Sequence, residues 1–197
     1  MPRRWPISAL AGLLLLACAL GAHAQALTLR GVEFPETLGG YRRGKVQTTT
    51  RSSGRQGSSV AYSGKTLAAA VFVYGAQNTQ PEDDLDPKLL RDEFKELLQA
   101  EEQEAKRRSC SLVVRGMQSL DGPGHEARFL EAELLLSKGK EQRPVYLYLG
   151  WFRGQYLKIM AGGGSNVSNA RAARNFVQAL ARKLWPTPVA APQESTP

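Results

Sequence analysis

Apolar and polar side chains alternate with a period of two across residues 125–161, the signature of half-buried strands. Two breaks divide the stretch, Ser-Lys-Gly-Lys-Glu-Gln at 137–142 and Arg153-Gly154. The pattern predicts strands over 125–136, 145–152 and 155–161. Successive side chains of a strand point to opposite faces, so two faces follow. Leu130, Ala132, Leu134, Leu147, Leu149, Trp151, Leu157 and Ile159 make the predicted core face. Glu131, Glu133, Tyr146, Tyr148, Tyr156 and Lys158 make the other, read as an aromatic and charged binding surface.

Upstream, residues 58–62 and 67–74 read as a hairpin around Ser63-Gly64-Lys65-Thr66. Its second arm is apolar on both sides, which predicts a central strand covered on both faces. Phe34 and Leu38 are expected to pack, residues 45–50 to begin a strand, and 51–59, rich in Ser, Gly and Arg, to form a loop. Asp86-Pro87 opens a helix, with Asp at the N-cap and Pro at the first helical position. Leu90, Phe94, Leu97, Leu98 and Ala105 follow at helical spacing, and Lys106-Arg107-Arg108 close it where the helix dipole favours cations. A strand is predicted over 110–119. A second helix runs from Ser168 to about Leu184, with an inner stripe of Ala170, Ala173, Val177, Leu180, Ala181 and Leu184, and Trp185-Pro186 ends it. Short turns make neighbouring strands antiparallel. The fold class is therefore α+β, an antiparallel β-sheet with amphipathic helices packed on it.

The chain has 197 residues. Residues 1–24 have the parts of a secretory signal: Arg3 and Arg4, an apolar run from Ile7 to Leu20, and Ala22-His23-Ala24 before Gln25. Leu15-Leu16-Ala17-Cys18 also resembles a bacterial lipobox, so a lipid anchor at Cys18 is the alternative to simple cleavage. What remains is one domain, 25–185, and a Pro- and Ala-rich tail at 186–197 with the composition of a disordered segment. Cleavage leaves Cys110 as the one cysteine, so an internal disulfide is excluded, and its Ser-Cys-Ser-Leu-Val-Val setting reads as a buried strand position. The formal net charge is +8, or +6 without Arg3 and Arg4. Outside the cytoplasm such a charge meets a protein partner or an anionic envelope component before it meets nucleic acid.

The element order, with a Phe34-Pro35-Glu36 entry, a hairpin, an acidic helix, a long meander and a closing helix, resembles the PsbP/Mog1-like α-β-α sandwich over roughly residues 32–185. Small secreted bacterial proteins of unknown function look like it too. The resemblance implies an accessory or binding role, and no family site residue maps onto a motif here.

Candidate chemistry is sparse. One histidine, His125, and one cysteine after the leader give no ligand pair at zinc spacing, and neither a metal nor a cofactor is expected. Glu82-Asp83-Asp84-Leu85-Asp86 reads as the approach to a helix. Gly64-Lys65-Thr66 resembles the end of a P-loop, but a strand follows where a helix is required. Gly162-Gly163-Gly164-Ser165 leads into a helix N-terminus, where free N–H groups favour anions. Glu131 and Glu133 share a strand face beside Tyr146 and Tyr148, so a periplasmic hydrolase using this pair, or His125, is the alternative function. Arg42, Arg43, Lys45, Arg51 and Arg55 form a basic loop that could take an anionic partner. The expectation is a secreted or periplasmic binding protein that does not catalyse.

Overall fold

The structure, a computed structural model, describes residues 27–50, 56–75, 85–121, 128–163 and 168–185. The predicted leader, Cys18, Arg51, Arg55, His125 and the tail lie outside the described residues.

Two short strands, β1 (Leu27–Leu29) and β2 (Val32–Phe34), pair with each other as a separate hairpin. The hydrophobic pattern predicts packing at Phe34 but no strand over these residues. The main sheet begins with β3 (Thr37–Leu38), β4 (Tyr41–Thr50), β5 (Gln56–Ser63) and β6 (Ala68–Gly75). Helix α1 (Pro87–Arg107) follows, then β7 (Ser111–Asp121), β8 (Arg128–Lys138), β9 (Glu141–Phe152) and β10 (Gln155–Gly162). Helix α2 (Ser168–Leu184) closes the described chain. The sheet order is β3-β4-β5-β6-β10-β9-β8-β7, and every pairing is antiparallel. Helix α1 carries the chain from the middle of the sheet to its far edge, and the β7–β10 meander returns to pair β10 with β6. The class is α+β, as read from the sequence.

The local reasons match the chemistry. Asp86 caps α1, its carboxylate accepting from the Lys88 amide at 2.7 Å. Phe94, Leu97 and Ala105 are buried, and Leu90 and Leu98 half-buried against the sheet. Strand β6 is central: Val71 and Val73 face α2, while Phe72 and Tyr74 face α1. Helix α2 buries Ala173, Val177, Leu180, Ala181 and Leu184 as expected. It also buries Phe176, a position the predicted stripe lacks. The Phe176 ring sits 5.3 Å from Tyr41 and 5.4 Å from Tyr62. Cys110 is half-buried in the turn before β7, not within a strand.

The faces of β10 correct the sequence reading. Arg153 and Gly154 both have positive φ, 47° and 76°, the backbone of a two-residue hairpin turn. That turn sets Phe152 opposite Gln155, so Tyr156 faces Trp151, Leu157 faces Gly150 and Ile159 faces Tyr148. Leu157 and Ile159 therefore share the α2 face with Tyr148. Tyr156 and Lys158 share the α1 face with Leu149 and Trp151.

Gly150 lies where the α2-face core closes. A Cβ there would come within 2.5 Å of the Phe129 ring, which is fully buried and edge-on to Trp185 at 5.9 Å. Gly150→Ala is expected to cost about 1–3 kcal/mol by overpacking. Urea unfolding checks this; a midpoint unchanged from the parent would show that Phe129 has room to move.

Candidate functional site

Helix α2 covers most of the face predicted as a binding surface. Glu131 is 3 % exposed, and Tyr146 and Tyr148 are buried with it. Register explains the grouping, since β8 and β9 set Glu131 opposite Tyr148 and Glu133 opposite Tyr146. The Glu131 carboxylate accepts from three neighbours. Arg174 Nε on α2 lies 3.1 and 3.2 Å from its two oxygens, Gln118 Nε2 on β7 lies at 2.8 Å, and Tyr148 Oη at 3.3 Å. Burying a carboxylate costs several kcal/mol unless it is paired and hydrogen-bonded, and these partners supply both. The site ties β7, β8, β9 and α2 together. The arrangement expected of a hydrolase needs an acid open to substrate, and Glu131 is closed off by its partners.

The tyrosines here resist ionisation. Burial pushes the Tyr148 hydroxyl far above its usual range, and the Glu131 carboxylate adds to it by charge and hydrogen bond. Tyr146 is raised by burial, then by Glu133 and Glu131. On the same face Tyr62, which donates to the Pro35 carbonyl at 2.9 Å, is pushed up to about 12 by burial, against a smaller opposite pull from Arg43. An unfolded tyrosine loses its proton near 10.0, so the unfolded chain releases it first as pH rises. The stability contributed by Tyr62 is complete below pH 10.0 and is lost as pH approaches about 12. Urea midpoints across that window should fall steeply for the parent and less steeply for Tyr62→Phe. Parallel slopes would remove Tyr62 from the account.

Tyr156 and Lys158 belong to the other face. The Lys158 ammonium donates to Glu101 on α1 and lies 5.0 Å from the Phe72 ring centroid. Tyr74 Oη donates to Glu93 at 2.9 Å. Two acids of α1, Glu93 and Glu101, thus point inward beside its apolar stripe. Sliding α1 by a turn would strand either carboxylate among apolar side chains, so the pair fixes where the helix sits. The six residues predicted as one surface therefore divide into two helix-covered clusters. Glu133 is half-buried and the other five are buried.

The predicted basic loop is in part a strand. Arg42, Arg43 and Lys45 stand on β4. Arg42 reaches Glu36 at 3.6 Å, and Arg43 turns inward to donate to the Phe34 carbonyl. Arg174 on α2 is held by Glu131, and Gly164 and Ser165 of the predicted anion-binding approach lie outside the described residues.

What the sequence reading missed is the edge of the sheet. Among the described residues β7 is the terminal strand, paired on one side only. It carries three of the four exposed large apolar side chains among the described residues: Val113 at 53 %, Val114 at 44 % and Met117 at 65 %. Val114 and Met117 share the α1 side with Leu134 and Ala132, their partners on β8, while Val113 lies on the α2 side opposite Leu135. Arg115 occupies a bulge between them. The opposite edge is different. β3 covers the start of β4, and beyond it Val46 is the one exposed large apolar side chain, among Lys45, Gln47 and Thr48. A long, apolar, unpaired edge is what an added strand pairs with. The signal available in sequence was Leu-Val-Val at 112–114 with Met117, which reads equally well as a buried strand.

Among the described residues no group of three or more His, Cys, Asp or Glu side chains is placed to hold a metal ion, and no helix is long and apolar enough to cross a membrane. Neither a protein-family model nor a curated protein sequence matches the chain.

Proposed function

We propose that this chain is a non-catalytic binding or accessory protein of the cell envelope, which takes a protein partner along strand β7. The observation that carries the reading is the row of Val113, Val114 and Met117 on an unpaired sheet edge. Main-chain groups of such an edge supply affinity, and the side chains beside it supply selectivity. The leader-like residues 1–24 support export, with a lipid anchor at Cys18 as the alternative route to the same compartment. The PsbP/Mog1-like element order supports an accessory role by analogy, and the basic composition favours an acidic or anionic counterpart.

The test is a photo-crosslinking amino acid placed at Val114 or, as control, at Val46 on the other edge, in the cell that makes the protein. A discrete protein adduct from position 114 and none from position 46 is the expected result, with the adduct lost in Met117→Lys. Adducts from position 46 alone, or none from position 114 in folded protein, would end the proposal.

A further inference from the structure

We infer that the partner segment bound by β7 is an acidic extended strand, apolar on both sides and carrying its carboxylates against Arg115, Lys138 and Lys140. The inference rests on the strand-addition reading above and names the chemistry of what is added. Two observations lead to it.

The first is the distribution of apolar side chains about the edge. Val114 and Met117 flank one side of the open edge and Val113 the other. An added strand has neighbours above and below the sheet, so its own side chains on both faces meet apolar groups. A strictly alternating segment with one polar face would place polar groups beside Val113 or beside Val114 and Met117. The matching segment is apolar at successive positions.

The second is charge. Lys138 ends β8 directly beyond the Ser111–Ser137 pair, and Lys140 lies in the turn that follows. Arg115 projects from the bulge near the middle of β7. None of the three has an acidic partner within salt-bridge distance among the described residues. Glu104 on α1 holds Arg107 and Arg108, and Glu141, the cross-strand partner of Lys138, holds Arg143. Glu133, opposite Gly116 beside Arg115, lies half-buried across from Tyr146 on the α2 side. The Arg108 hydrogen bond keeps the Glu104 carboxyl below its ordinary range, so it stays ionised in that role. The rim of the open edge therefore presents unmatched cations, and an incoming segment gains by bringing carboxylates.

The same charges argue against a second copy of this chain. Full antiparallel overlap of two β7 strands makes their Arg115 side chains near neighbours across the seam, because residue 115 lies next to the strand's midpoint. Like charges at such positions oppose pairing, and two chains each carrying +6 without Arg3 and Arg4 repel at longer range as well. An anionic lipid surface would meet the cations but would leave the strand's unpaired amides and carbonyls without partners.

Labelled peptides sharing one Val/Ile/Thr core, flanked by aspartates, by serines or by lysines, test this by fluorescence anisotropy on the purified protein. Phosphatidylglycerol vesicles serve as the competing probe. The aspartate-flanked peptide is expected to bind about tenfold tighter than the serine-flanked one at low salt, with the preference fading in high salt. Lys138→Glu/Lys140→Glu, both exposed positions, should transfer the preference to the lysine-flanked peptide, and Met117→Lys should weaken all three. Equal binding of the three peptides, abolished by Met117→Lys, would overturn the acidic segment while leaving the edge as a docking site. Binding to vesicles alone, or no binding of any peptide, would overturn both.

Discussion

Replacing Phe176 with alanine is expected to lower stability by about 3–5 kcal/mol, the range for removing a buried aromatic side chain. The ring is fully buried, with Tyr41 edge-on at 5.3 Å and Tyr62 tilted at 5.4 Å. Its neighbours on α2, Ala173, Val177, Leu180 and Ala181, are small or already packed, so they cannot fill the space it leaves. Two aromatic contacts are lost with it, beyond the area removed from water. Urea unfolding with an unchanged slope and a lower midpoint is the expected signature. A loss below about 1 kcal/mol would mean that α2 collapses onto the sheet without its anchor.

Arg174→Met is expected to be the second large loss, about 2–3 kcal/mol. The value lies between an exposed ion pair, worth about 0–1 kcal/mol, and a fully buried pair broken on one side, which costs about 3–5 kcal/mol. Arg174 earns the intermediate place because its side chain is 44 % exposed while the Glu131 side chain is 3 % exposed. Gln118 and Tyr148 continue to donate to the carboxylate after the substitution, which softens the effect. Glu131→Leu made in the Arg174→Met background removes the buried charge, so the double variant should lose less than the two single losses combined. Additive losses would show that the pair is not coupled, and that Arg174 contributes only through the packing of its stem.

Elements set by neighbouring residues were legible in the sequence. Asp86-Pro87 announced α1, and the double-sided apolar run at 67–74 announced a central strand, because caps and burial patterns are local. Faces were legible only as far as turn geometry was. Glu131 and Tyr148 were grouped correctly across β8 and β9, whereas Tyr156 and Lys158 went to the wrong side, since the Arg153-Gly154 turn decides which residue of β10 meets which of β9. A one-residue error in register moves every side chain to the other face. The buried state of Glu131, Tyr146 and Tyr148 depended on where α2 lands, and the inward aim of Glu93 and Glu101 on which sheet residues α1 crosses. Neither is a property of a single segment. The edge position of β7 was hidden for the same reason, because the chain passes from the middle of the sheet to its rim through α1.

That passage has a consequence for how the protein is made. β6 finds one neighbour, β5, at once, but its other neighbour is β10, and about eighty residues separate Gly75 from Gln155. Until β10 emerges, a growing chain holds a strand with Val71 and Val73 on one side, Phe72 and Tyr74 on the other, and an open row of amides and carbonyls. Closing such a distant pairing is slow relative to hairpin formation. During synthesis the most aggregation-prone surface is therefore the future centre of the sheet and not its final rim. A chain truncated before residue 155 should aggregate on refolding at concentrations where the complete chain stays in solution.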